Sequence, residues 1–239
     1  MRRPLIGPLR EFCVLGVVLM VLGGGVSIAK ANTRVDWERG LLIATAAAPA
    51  DLRSPTTELA RVKAERVATK RCSALLRDAA AVLPMASGKT VGAALGDSLA
   101  GASIGLISLT TDHGSDGSVV VTMALPIDRL RTLRFGSDSP VLDSTASKST
   151  ANAPLFVDAR ASKLVPSVGL GVTIGTVTYR GPVLFFRDEV AARTGAHLGK
   201  ETQLQKAKGL KAGVVGLAGT ADADISGAPL VVVLYSESR

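Results

Sequence analysis

The chain has 239 residues, with 28 Lys and Arg against 20 Asp and Glu and only eight aromatic side chains. That length suits one domain or two small ones. The excess of positive charge is mild and is not interleaved with aromatics, which argues against nucleic-acid recognition, and so few rings argue against a sugar cleft built on stacked aromatics.

The first 31 residues are built like a secretory leader. Arg2, Arg3 and Arg10 precede an apolar run from Phe12 to Leu22, followed by Gly23-Gly24-Gly25 and the small-residue exit Ala29-Lys30-Ala31. Cleavage is expected after Ala31, leaving a mature chain that starts at Asn32 and works in the periplasm or outside the cell. The rival reading is an uncleaved inner-membrane anchor. It needs about twenty apolar residues, and three consecutive glycines interrupt the run. Lipid attachment would need a cysteine directly after the cut, where Asn32 stands; Cys13 lies at the wrong end of the leader. Removal of residues 1–31 leaves 24 basic residues against 19 acidic ones and Cys72 as the one cysteine, so no intramolecular disulfide is expected. Cys72 is expected to be a buried thiol.

Beyond the leader, Leu42, Ile43 and Thr45 favour a strand, with a turn at Gly40 before it and Pro49 after it. Ser54 is placed to cap a helix and Pro55 to occupy its first position, where a missing N–H costs nothing. Ala60, Ala64, Val67, Ala68, Cys72, Leu75, Ala79 and Val82 then recur at helical steps as one apolar stripe, and Pro84 ends the pattern. Arg61, Lys63, Arg66, Lys70 and Arg77 fall mainly outside that stripe and form the candidate partner-binding face. After a stretch rich in Gly and Ala, Ile104 to Thr111 and Val119 to Ile127 predict a hairpin around the turn formers of residues 112–118. Val119, Val121, Met123 and Leu125 alternate against Val120, Thr122 and Ala124, which gives the second strand one buried face.

Trp37 with Gly40, Ile43-Ala44-Thr45, the alanine-rich helix around Ala60, Ala64, Ala68 and Leu75, and Asp116-Gly117-Ser118 leading into a valine strand that ends at Pro126 resemble the LPP-twenty surface lipoprotein family. The same order is similar to the related N-terminal domain of the flagellar assembly protein FlgT. The likeness spans about Val35 to Leu130, and Leu155-Phe156-Val157-Asp158-Ala159-Arg160 with Val165-Pro166-Ser167 resembles the second segment of such proteins. The resemblance implies a bacterial envelope protein with a helix packed on a small sheet and no catalytic site. The family's lipid-bearing cysteine is absent, so its membrane anchoring does not carry over.

Residues 134–153 are poor in apolar side chains and rich in Ser, Thr, Ala and Asp, the composition of a linker or long exposed loop. Past them, Leu155 to Val157, Val172 to Tyr179, Val183 to Phe186 and Leu230 to Tyr235 predict strands. The last is wholly apolar and is expected inside a sheet. A helical turn is expected at Asp188 to Arg193, and a helix or mobile loop at Lys200 to Lys211. The fold class is α+β: residues 32–133 form a β-α-β-β unit with one long helix on a small antiparallel sheet, and residues 154–239 a second, small α/β segment.

Several motifs touch on chemistry and fail on context. Gly101-Ala102-Ser103-Ile104-Gly105 has the spacing of a nucleophile elbow, with His197 as a distant base, but an elbow needs a strand before the serine and a helix after it; here β-formers follow. Gly88-Lys89-Thr90 lacks the glycine five residues earlier that a phosphate loop needs, where Leu83 stands. Gly169-Leu170-Gly171 with Gly175 misses dinucleotide spacing by one residue. His113, His197 and Cys72 are too scattered for zinc, Asp112 and Asp116 suit a turn, and Asp222 and Asp224 suit a loop. The expectation is a protein without cofactor, metal or catalytic site that binds envelope proteins or itself. A peripheral contact with anionic lipid or polysaccharide is the alternative outlet for its charge, and a small-ligand or envelope-polymer binding module the alternative function, with a serine hydrolase behind both.

Overall fold

A computed structural model describes residues 32–103, 105–136, 154–174, 177–217 and 230–236. The leader, residues 137–153 of the expected linker, and Gly175, Asp222 and Asp224 lie outside the described residues.

The first half is an antiparallel sheet under one long helix. Strands β1 (Asn32–Asp36), β2 (Leu41–Ala48), β3 (Ile107–His113) and β4 (Val119–Pro126) lie in the order β1-β2-β4-β3. The expected hairpin is β3 and β4, and the alternation holds through Thr122: Val119, Val121, Met123 and Leu125 are buried and Val120 and Thr122 half-buried, but Ala124, expected on the less buried face, is fully buried as well. Strand β1 was not expected. A turn at Trp37–Gly40 folds it back on β2, with the Asp36 carboxylate accepting from the Arg39 N–H at 3.0 Å and Gly40 at φ 64°. Only glycine enters that left-handed region at little cost.

Helix α1 (Thr57–Val82) starts later than Ser54 and Pro55 suggest. Thr56 is the cap, its hydroxyl accepting from the Leu59 N–H at 3.3 Å. Ser54 instead closes the preceding turn, its N–H donating to the Asp51 carbonyl at 2.9 Å and its hydroxyl to the Asp51 carboxylate at 3.0 Å. The buried row is Ala60, Ala64, Ala68, Cys72, Leu76 and Ala80, a strict step of four. This corrects the expected stripe: Val67 and Val82 are exposed, 43% and 72%, and Leu75 and Ala79 only flank the core. A step of four overshoots the helical turn, so the row winds slowly round the axis as an i±4 ridge. It packs on Leu42, Ala44, Ala46 and Ala48 of β2 and on the alternating face of β4. Alanine and cysteine in that ridge let the helix lie close to the sheet.

Helix α2 (Val91–Leu95) and a 3-10 segment (Gly96–Ser103) close the end of this core. Helix α3 (Ile127–Phe135) follows β4 without a break and buries Ile127, Leu130 and Arg131. It was not expected, and it moves the start of the connecting segment past Arg134.

The second half is a mixed sheet of β5 (Leu155–Asp158), β6 (Gly171–Ile174), β7 (Val177–Tyr179), β8 (Val183–Phe186), β9 (Leu204–Lys211), β10 (Val214–Leu217) and β11 (Val231–Leu234), in the order β7-β6-β10-β9-β5-β11-β8. Strand β11 runs parallel to β5 on one side and β8 on the other, and all four of its residues are buried. That explains its unbroken apolar run. Two expectations are corrected here. Val172 to Tyr179 is not one strand but the antiparallel pair β6 and β7, with Val172 opposite Tyr179. Lys200 to Lys211 is neither helix nor loop, because from Leu204 it is β9, which pairs with β5 through Leu204–Lys206 and with β10 through Ala207–Lys211. The expected helical turn is α4 (Glu189–Gly195), capped by Asp188, whose carboxylate accepts from the Ala191 N–H at 2.8 Å. It covers Phe156, Phe186, Val232 and Leu234 on one face of the sheet.

The two halves are stitched together. Trp37 packs on both cores, meets Phe185 edge-on at 5.5 Å, and its carbonyl accepts from the Phe185 N–H at 3.1 Å. Val168 donates to the Pro84 carbonyl at 2.9 Å and accepts from the Ala86 N–H at 3.0 Å. Among the described residues no helix is long and apolar enough to cross a membrane.

Candidate interaction surface

All five residues of the expected basic face are exposed on α1. Lys63, Arg66, Lys70 and Arg77 follow one another at steps of three, four and seven, which keeps them on one line opposite the middle of the buried row. Arg61 does not fall on that line. Lys63 is partly engaged: its ammonium donates to the Asp51 carboxylate at 2.9 Å. That bond, with the Arg53 N–H and the Ser54 hydroxyl behind it, holds the Asp51 carboxyl below its ordinary range. Arg71, also on α1, donates to the Ala47 carbonyl at 2.9 Å and ties the helix to the end of β2.

Lys70 and Arg77 border a groove of about 220 Å³ that is lined also by Ser73, Ala74, Leu76, Leu125 and Leu106. Leu106 leads directly into β3, one of the two edge strands of the first sheet. An edge strand offers unpaired backbone N–H and C=O groups to another chain. Along it Ile107 and Leu109 are each 44% exposed. Cationic row, groove and edge are therefore continuous, and together they can hold an extended segment with acidic side chains: backbone pairing along β3, apolar residues in the groove, carboxylates at Lys70 and Arg77. Sequence reasoning found the cations. It placed Leu106, Ile107 and Leu109 in the first strand of the hairpin but not at a sheet edge, which only the strand order shows.

The remaining motifs separate. Ser103 closes the 3-10 segment and β3 begins at Ile107, so a helix precedes and a strand follows, the reverse of an elbow. Lys89 and Gly88 belong to a turn that closes on itself, the Met85 N–H donating to the Lys89 carbonyl at 2.8 Å and the Gly88 N–H to the Met85 carbonyl at 2.9 Å. Thr90 caps α2. Gly169, at φ 73°, sits in the bend before β6. His113 ends β3, His197 follows α4, and Cys72 is buried under α1, its thiol donating to the Ala44 carbonyl at 3.1 Å. Burial pushes the Cys72 thiol up from its ordinary value. Asp116 is used by its own turn, accepting from the Ser118 N–H at 2.9 Å. Among the described residues no three His, Cys, Asp or Glu side chains converge as a metal site.

A second concave region lies at the junction of the halves. A cleft of about 440 Å³ is lined by Lys89, Arg134 and Arg180, with Ser87 and Phe135 among its walls. Below it Arg131, 5% exposed, donates to the Asp128 carboxylate at 2.6 Å and to the Arg180 carbonyl at 3.1 Å. None of these residues belongs to the expected basic face, and Lys89 entered the sequence reading only as a failed phosphate loop.

No protein-family model matches this chain, and no curated protein matches it.

Proposed function

We propose that this chain is an exported cell-envelope protein without catalytic activity, a structural or assembly component that works by binding another protein or a second copy of itself. The observation that carries the reading is the continuous surface of Lys70, Arg77, the Leu106 groove and the β3 edge. It has the charge, the apolar anchor and the open backbone that strand addition uses. Export rests on the leader sequence, and kinship with the LPP-twenty and FlgT-like envelope proteins on the residues that resemble them.

The test is the mass of the complex in solution and its dependence on that surface. Light scattering after size exclusion on the protein purified from envelope fractions should show a dimer or a defined complex. Lys70→Glu with Arg77→Glu should weaken it at least tenfold while the unfolding midpoint stays put, because both side chains are exposed. A monomer without partners, or a complex indifferent to the double substitution, would overturn the reading.

A further inference from the structure

We infer that the cleft between the two halves is a binding site for a compact, multiply charged oxyanion, phosphate or pyrophosphate in kind. Three cations reach it from three separate elements: Lys89 from the turn before α2, Arg134 from the end of α3, and Arg180 from the residue after β7. No acidic side chain lines it among the described residues. Cations gathered in a concavity with low-dielectric walls raise the local concentration of anions, and guanidinium groups match oxyanion geometry with paired N–H donors.

The site is also held in shape. Both arginines lie against the Phe135 ring, the Arg134 guanidinium carbon 5.9 Å and that of Arg180 5.4 Å from its centre. Such contacts set the guanidinium planes against the ring. Phe135 itself is seated by the other half of the molecule. A side-chain carbon at Gly169 would stand 2.6 Å from the ring, so the glycine is what lets the phenyl group into the cleft. Lys89 projects from the self-closed turn described above, and Ser87 adds a hydroxyl. The volume of about 440 Å³ fits a small ligand of one or two phosphoryl groups with room for a substituent. This proposal is independent of the protein-contact reading, because neither Lys89 nor Arg134 lines the α1 groove.

The experiment is calorimetric titration of the full chain with inorganic phosphate and with sodium pyrophosphate at constant ionic strength. Saturable binding with a dissociation constant below about 1 mM is expected for pyrophosphate, tighter than for phosphate. Lys89→Gln with Arg134→Gln should weaken it at least tenfold. Lys70→Gln with Arg77→Gln, which removes the same charge from α1, should change it less than threefold. Melting curves on both pairs check that each remains folded. Vesicles of phosphatidylglycerol form a second arm. Vesicle binding that pyrophosphate displaces supports the site and makes a lipid phosphate its source, and soluble binding without vesicle binding supports it with a free ligand. Absence of saturable binding to the soluble anions, equal loss in both double variants, or vesicle binding that pyrophosphate leaves untouched would overturn it.

Discussion

At the scale of single residues, three buried groups carry consequences that can be measured. Arg131 joins the halves, bonded to Asp128 on its own helix and to the Arg180 carbonyl across the junction. Arg131→Ala should lower stability by about 2–3 kcal/mol in urea unfolding, less than the full cost of breaking a buried pair because Asp128 stays 44% exposed. A loss under about 0.5 kcal/mol would mean that the junction does not depend on it. Tyr179 is 2% exposed and its hydroxyl has no hydrogen-bond partner among the described residues. Burial, acting first, pushes its phenol up from 10.0 to about 12. An acid with a raised folded value keeps its proton longer in the folded state, so its contribution is intact below about pH 10. It is lost between pH 10 and 12, a decline of up to about 2–3 kcal/mol. Tyr179→Phe should flatten that alkaline decline and cost less than about 1 kcal/mol at pH 7, since the deleted hydroxyl satisfies nothing. Cys72 is fully buried and its thiol is held protonated by that burial, so it should resist thiol reagents at pH 8 in the native protein. After unfolding in urea the protein recovered from envelope fractions should titrate one thiol if the leader is cleaved as proposed. Two would mean that Cys13 is still attached and the leader uncleaved.

At the scale of elements, what the sequence made legible depended on whether local pattern and tertiary context agreed. The β3–β4 hairpin could be read because turn formers and a two-residue alternation point the same way. Helix α1 could be read from its apolar recurrences, but its register could not. Val67 and Leu75 satisfy helical spacing as well as Leu76 does, and only the sheet underneath selects the row through Ala68. That selection is testable: Ala68→Leu should destabilise by at least about 1–3 kcal/mol through overpacking, while Val67→Leu should stay within about 0.5 kcal/mol. Equal effects would place the helix in the other register. Strand β9 was hidden by its lysines. Yet Lys206, Lys208 and Leu210 are exposed in alternation with half-buried Ala207 and Gly209, so a period of two was present and was masked by composition. Helix α3 was hidden for a different reason. Pro126 reads as the end of a strand, and the Ile127, Leu130 and Arg131 spacing that follows contains a cation at a buried position.

At the scale of the whole molecule, the two halves are bound by backbone hydrogen bonds through Val168 and Trp37 as well as by side chains. Positions far apart in the chain therefore meet, and these were the least legible. Lys89, Arg134 and Arg180 lie in three stretches that looked unrelated, and no spacing rule connects them. The basic row of α1 was legible because one helix carries it, whereas its continuation into Leu106 and the β3 edge needed the fold. On the function proposed above, a protein partner sits on this continuous surface. Site-specific photocrosslinking in cells tests it most directly, with a photoreactive residue at Leu109 or at Arg77 and, as control, at Val190 on α4, which is 75% exposed. One discrete adduct, a second copy or one defined envelope protein, is expected from Leu109 and Arg77 and none from Val190. No adduct from the first two positions, or the same adduct from all three, would contradict it.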